Sequence, residues 1–191
     1  MSQHANDAIH QLVQMGVRHF CICPGSRSTP FTVAIARHPD AHSHIFHDER
    51  SAAFCALGLG KSGQLAALVV TSGTAVANAY PAVIEADAAN IPLLLLTADR
   101  PPELRSSNAN QTIDQCKIFG DRVRFFFDFP SASPIKRTTY PIEEFIYPID
   151  AQRNTLSFAI SKATGLNPGP VHLNWMFREP FDISDSTPVS S

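Results

Sequence analysis

Residues 65–71 (LAALVVT) and 92–97 (PLLLLT) are apolar at nearly every position. A strand with one wet face alternates apolar and polar residues. A strand without that alternation is buried on both faces, so helices must lie above and below it, and its pairing is parallel. Helical stretches separate these runs from each other and from shorter strand candidates. The chain therefore reads as a three-layer α/β/α domain around a mostly parallel sheet. Its 191 residues, 44% of them hydrophobic, suffice for one such core and not comfortably for two.

In chain order, residues 3–15 carry Ile9, Leu12 and Val13 on one helical face, with Gly16 as a stop. Residues 19–23 form a strand that runs into Pro24-Gly25-Ser26-Arg27-Ser28-Thr29-Pro30. Ser28 or Thr29 is placed to cap a helix continuing to Arg37. A strand over 43–47 precedes a helix over 48–61. Ser72-Gly73-Thr74 turns the buried strand 65–71 into a helix reaching about Ala89. The strand 92–97 exits into Ala98-Asp99-Arg100-Pro101-Pro102-Glu103 and a polar segment, 106–115. A fifth strand is expected over 123–129, a surface connection over 130–150, a helix over 151–164 and a sixth strand over 171–174. No internal repeat or domain boundary is visible, so 1–181 reads as one domain and 182–191 as a polar tail or the start of a linker.

Net charge is −2 with no basic patch, which argues against nucleic acid or an anionic membrane as the main partner. No apolar run reaches the length of a membrane span, and residues 1–7 lack a signal-peptide core. Cys21, Cys23, Cys55 and Cys116 contain no C-x-x-C pair and read as reduced thiols in a cytoplasm. Residues 58–63 (GLGKSG) satisfy G-x-G-x-x-G, but they follow a helix rather than a strand. Phosphate binding needs the helix N-terminus after the glycine turn, so these glycines are expected to end a helix. His42 and His44 share a strand face near His47; a metal there needs a third ligand and an orienting shell, and none is assigned.

The strand ends carry the chemistry. Ligands of parallel sheets sit at the carboxyl ends of the strands. Ser26, Arg27, Glu49, Ser72, Arg100 and Gln111 all follow predicted strands and so are expected on one edge. Two arginines, a carboxylate and amides suit a ligand with several carboxylates or phosphates. Asp48 is placed as an N-cap and Glu49 as a first-turn acid. Phe46 and Phe54 flank Glu49, a setting that raises a carboxyl pKa, while the helix N-terminus pulls it down. No G-x-S-x-G elbow or Ser/His/Asp order points to a hydrolase.

The strings CPGSRSTP (23–30), FHDERSAAFCALGLGK (46–61), VVTSGTAVANAYPAVIEA (69–86), LLLLTADRPPELR (93–105) and NANQTIDQ (108–115) resemble the N-terminal part of the 2-succinyl-5-enolpyruvyl-6-hydroxy-3-cyclohexene-1-carboxylate synthases. These are thiamine-diphosphate enzymes of menaquinone biosynthesis. Residues 169–174 (GPVHLN) and 177–180 (FREP) resemble the end of the same domain, so the likeness covers about 5–181. It implies a pyrimidine-binding (PYR) domain with a six-stranded parallel sheet. Glu49 is then the carboxyl that hydrogen-bonds the aminopyrimidine ring and activates the cofactor. Thr71, Ser72, Gly73 and Thr74 line the pyrimidine pocket. Ser26, Arg27, Arg100, Asn110 and Gln111 face the substrates, 2-oxoglutarate and isochorismate. The implied reaction decarboxylates the first and adds the succinyl carbanion equivalent to the second. The family's usual Cys-Gly before Ala-Asn-Gln is Ser107-Asn108 here.

The family holds the diphosphate and Mg²⁺ with a C-terminal domain bearing Gly-Asp-Gly, and no Gly-Asp-Gly occurs in this sequence. The resemblance thus implies half of each site, completed by the diphosphate domain of another subunit in a homodimer or homotetramer. It also implies that the chain alone, whether a fragment or a split subunit, is inactive. The alternatives are another thiamine-diphosphate decarboxylase or carboligase, such as an acetolactate-synthase relative, or a standalone carboxylate-binding or oligomerisation domain.

Overall fold

The computed structural model describes residues 2–131, 148–179 and 181. Six strands form one sheet: β1 (His19–Ile22), β2 (His42–Ile45), β3 (Ala66–Val70), β4 (Leu93–Asp99), β5 (Phe125–Phe129) and β6 (Pro170–Met176). Their order is β2-β1-β3-β4-β6-β5, and every neighbouring pair is parallel. β3 and β4 are buried at every residue, as their unbroken apolar sequences require. The edge strands β2 and β5 are more exposed.

Helices α1 (Ser2–Gln14), α2 (Thr29–Arg37) and α6 (Ile149–Thr164) cover one face. Ile9, Leu12, Phe31, Ile35 and Leu156 pack there on Phe20, Val69, Leu94, Leu96 and Leu173. Helices α3 (Glu49–Lys61), α4 (Thr74–Ala77) and α5 (Tyr80–Ala88) cover the other. Ala52, Ala56, Ala82 and Val83 meet Cys21, Leu68, Val70, Leu93 and Leu95. The alternation of β3 and β4 residues between these two clusters is the period-2 geometry of a strand. Small residues let α3 approach closely: a Cβ on Gly60 would lie 2.3 Å from the Pro92 carbonyl oxygen.

Several boundaries differ from expectation for identifiable reasons. The helix expected over 74–89 is two helices, α4 and α5, parted at Asn78 and Ala79. Pro81 has no N–H, and its ring would strike the carbonyl of residue 77 in a continuous helix. β4 and β6 run longer than predicted because they pair all the way to Asp99 and Met176, so Asp99 is a buried strand residue rather than part of an exit loop. Ser28 and Thr29 do not cap α2. Their hydroxyls donate to the Gly25 carbonyl at 3.0 and 3.4 Å, and α2 starts without a side-chain cap. Asp48 does cap α3, accepting from the backbone N–H groups of Arg50 and Ser51.

Gly58 and Gly60 lie in the last turns of α3 and Gly63, at φ +85°, follows its end. The G-x-G-x-x-G string is therefore a helix stop. All four cysteines are free; Cys21 and Cys55 come together across β1 and α3, and burial, then Cys55, pushes the Cys21 thiol up. His19 joins His42 and His44, with ring centroids 5.2 and 5.4 Å away. Among the described residues no group of three or more His, Cys, Asp or Glu side chains has the geometry to hold a metal ion. No helix among them is long and apolar enough to cross a membrane. Most of the connection over 130–150 and the tail over 182–191 lie outside the described residues.

Candidate active site at the carboxyl edge of the sheet

β1 is flanked by β2 on one side and β3 on the other, so the chain leaves β1 outward to β2 and returns past it to β3. The direction of winding reverses between β1 and β3. A crevice opens beyond the carboxyl ends at such a point. The two loops bordering it touch: a Cβ on Gly25 would lie 2.5 Å from Cβ of Thr71. Only glycine permits that approach.

Glu49 enters this edge from β2, as the first residue of α3. Its side chain is half-buried, and Oε2 accepts a hydrogen bond from Asn78 Nδ2 at 3.1 Å. The apolar enclosure expected from Phe46 and Phe54 is only partly present. Phe46 is half-buried, but Phe54 is 44% exposed because Ala52, Ala53 and Ala56 take the sheet-facing side of α3. Cys23 stands close by: burial, then the negative charges of Glu49 and Asp48, push its thiol up to about 11. The cap Asp48 is held down to about 2, chiefly by the Arg50 guanidinium.

The turn after β3 is mostly turned inward. Thr71, Ser72 and Gly73 are buried, and Thr74 is exposed. Arg100 donates to Ser72 Oγ and, at 2.7 Å, to the Gln111 carbonyl oxygen. Ser72 Oγ in turn donates to the same carbonyl at 3.1 Å. Gln111 Nε2 reaches back to the Ser72 carbonyl at 3.2 Å. Gly73 has φ +82°, and a Cβ there would meet the Gln111 carbonyl oxygen at 2.8 Å.

Neither arginine is the exposed cation that its place in a loop suggests. Arg27 is 7% and Arg100 8% exposed. Arg27 donates to the Phe177 carbonyl at 2.7 Å and to Glu179 Oε1 at 2.8 Å. Burial, and then the neighbouring Arg100, lower the Arg27 pKa. The carboxylates of Glu179 and Asp99 act on Arg27 in the opposite sense, so two guanidiniums and two carboxylates share this edge. Ser26, Asn110 and Gln111 are exposed beside them. Asn108 adopts φ +54°, a left-handed backbone that asparagine takes more readily than most residues.

The carboxyl edge thus gathers Ser26, Arg27, Glu49, the 71–74 turn, Arg100, Asn110 and Gln111 from four strand ends. Sequence reasoning missed Asn78, Gln115 and Asn174. Asn78 was hidden in a helix expected to be continuous, although Pro81 three residues on was the available signal. Asn174 is a polar residue in an apolar run and Gln115 one of several in a polar segment, and their partners lie far away in sequence.

The family model for the thiamine pyrophosphate enzyme N-terminal TPP binding domain matches residues 3–118, well over half of the chain. The chain is 50% identical over 179 residues to a 2-succinyl-5-enolpyruvyl-6-hydroxy-3-cyclohexene-1-carboxylate synthase of Haloarcula marismortui, covering 93% of this chain and 28% of that protein. It is 51% identical over 175 residues to the synthase of that name from Salinibacter ruber, covering 91% and 28%. For the Chlorobium limicola synthase the figures are 52% over 178 residues, 93% and 29%. The chain spans less than a third of the length of these relatives. By the family match and the fold together, this chain belongs to the thiamine pyrophosphate enzymes, as their N-terminal TPP-binding domain.

Proposed function

We propose that the chain supplies the PYR half of the active site of a 2-succinyl-5-enolpyruvyl-6-hydroxy-3-cyclohexene-1-carboxylate synthase, acting on 2-oxoglutarate and isochorismate in menaquinone biosynthesis. The observation that carries this reading is the near-50% identity, over most of the chain, to synthases of that name, with Glu49 at the mouth of the β1–β3 crevice. The residues present fit thiamine diphosphate: a half-buried carboxylate oriented by the Asn78 amide, with the exposed Thr74 hydroxyl one helical turn before Asn78, offers hydrogen bonds to an aminopyrimidine. When bound, that cofactor supplies an acidic thiazolium carbon able to add to a 2-oxo acid. Glu49 Oε would exchange a proton with the pyrimidine ring, and Asn78 fixes the orientation of its carboxylate.

Arg27 and Arg100 raise the potential at the substrate edge, and Ser26, Asn110 and Gln111 offer uncharged hydrogen bonds there. This suits substrates bearing more than one carboxylate better than pyruvate. Residues 1–181 make up the domain in this reading, with 182–191 as a tail or linker. The diphosphate and Mg²⁺ fall to a second, C-terminal domain of another subunit, in a homodimer or homotetramer. Exposed Phe54 and Ile84, on adjacent α3 and α5, support a covered surface on that side. Four free thiols support a reducing, cytoplasmic setting.

The test is an assay of the complete reading frame. Release of carbon dioxide from 2-oxoglutarate, coupled to consumption of isochorismate, is expected to require both thiamine diphosphate and Mg²⁺. A preference for pyruvate would overturn the substrate assignment. Absence of cofactor-dependent turnover with any 2-oxo acid would overturn the enzymatic reading.

A further inference from the structure

A buried polar network runs from Arg105 to the turn after β3. Arg105 forms ion pairs with Asp99 and Asp128 at 2.6 and 2.8 Å. Burial pushes the Asp128 carboxyl up, but hydrogen bonds from Arg105 and Asn174 outweigh it and hold the group below its ordinary value. The two carboxylates accept both amide protons of Asn174, at 2.9 and 2.8 Å. The Asn174 amide therefore has one permitted orientation, with Oδ1 turned away from the carboxylates. That oxygen accepts from Thr97 Oγ1 at 2.7 Å and from Gln115 Nε2 at 2.8 Å. Gln115 Nε2 gives its other proton to the Ala98 carbonyl at 3.2 Å. The Gln115 amide is thus fixed as well, and Oε1 accepts the Gly73 N–H at 2.9 Å.

The recipient of this chain of forced orientations is a single peptide unit. The Ser72 carbonyl accepts from Gln111 Nε2 and the Gly73 N–H donates to Gln115 Oε1. Two glutamines four residues apart hold the two ends of the Ser72–Gly73 peptide. Gln115 and Asn174 are 1% and 0% exposed and fully engaged, so neither reaches a ligand.

We infer that Gln115 is a positioning residue that, held by Asn174, fixes the Ser72–Gly73 peptide and thereby joins the cofactor-facing 71–74 turn to the substrate-facing loop at Asn110 and Gln111. The inference rests on the proposed function for the identity of the two ligands. The clamp itself rests on the hydrogen bonds alone. It makes the two subsites one body, so ordering either by a ligand lowers the entropic cost of ordering the other.

The test uses the complete protein and thiamine diphosphate as probe. In the wild type the Gly73 amide should be protected from hydrogen exchange, and thiamine diphosphate should slow it further. A Gly73 amide that exchanges like an unbonded loop amide, or that is unchanged when thiamine diphosphate is bound, would overturn the inference without any variant. Gln115→Met keeps the side-chain volume and removes the acceptor. Its half-saturating thiamine diphosphate concentration should rise about tenfold, the worth of one buried hydrogen bond, and its Gly73 amide should exchange faster. A variant that melts earlier yet keeps the wild-type cofactor saturation would reduce Gln115 to a packing residue. Failure of the wild type to bind thiamine diphosphate would instead refute the proposed function, while Gly73 protection would still report on the clamp.

Discussion

Asn78, at the end of α4, donates its side-chain amide to the carboxylate of Glu49, at the start of α3. Asn78 keeps a helical backbone, φ −63° and ψ −19°, and its N–H donates to the Thr74 carbonyl at 2.9 Å, so the last turn of α4 aims its side-chain amide at that carboxylate.

Glu49→Gln, in the complete enzyme, removes the carboxyl to which the proposed function gives the proton transfer. Turnover is expected to fall by about 100-fold or more, with unchanged thermal stability, because Asp48 rather than Glu49 caps α3. Steady-state kinetics and a melting curve measured side by side check this; near-normal turnover would refute the assignment of Glu49.

The purified chain alone, given thiamine diphosphate, Mg²⁺ and 2-oxoglutarate, is expected to release no carbon dioxide above background. In the proposed function, each site it contributes draws its diphosphate and metal ligands from another domain. Measurable decarboxylation by the chain alone would show that it carries a complete site.

Acid should weaken the fold through His172. This imidazole is fully buried, its pKa is lowered to about 3 by burial, and Nδ1 has no hydrogen-bond partner. It is therefore neutral, with Nε2–H directed to Thr97 Oγ1 at 2.8 Å. Between about pH 6.5 and 3 the unfolded chain binds a proton that the folded chain refuses, so stability falls with pH across that window by up to about 1.4 kcal/mol per unit. His172→Gln keeps a donor at the Nε2 position and removes the titration. Urea unfolding at about pH 7 and about pH 5 should show a smaller loss in the variant. Equal losses would place the acid sensitivity elsewhere.

Two glycines should respond oppositely to alanine. Gly73 has φ +82° and ψ −139°, and its Cβ would press on the Gln111 carbonyl, so Gly73→Ala is expected to cost about 2 kcal/mol or more. Gly58 lies inside α3 with no atom within 4 Å of a new Cβ, so Gly58→Ala should add about 0.5–1 kcal/mol. Chemical denaturation of both variants decides the matter, and the same sign in the two would contradict the backbone argument.

The layers of this fold were legible because the runs 65–71 and 92–97 admit little besides parallel strands buried on both faces. The shared edge of Ser26, Arg27, Glu49, Ser72, Arg100 and Gln111 followed from that, since each comes after a strand. Strand order was not legible, because nothing local distinguishes β3 beside β1 from β3 beside β2. The state of the arginines was also hidden. Arg27 and Arg100 look like free loop cations until Phe177, Glu179, Ser72 and Gln111 are seen to hold them. Asp99 was read as part of a loop because the run of leucines ends before it. Its burial depends on Asn174 and Arg105, whose positions no local pattern encodes.

The contact between Gly25 and Thr71 sets a limit on this half of the site. With the backbone of one loop resting directly on the side chain of the other, the two rims of the crevice are already at closest approach and cannot draw together over a guest. At this contact the two loops form a fixed jaw, and a closing stroke that seals a reaction from water has to come from outside the pair.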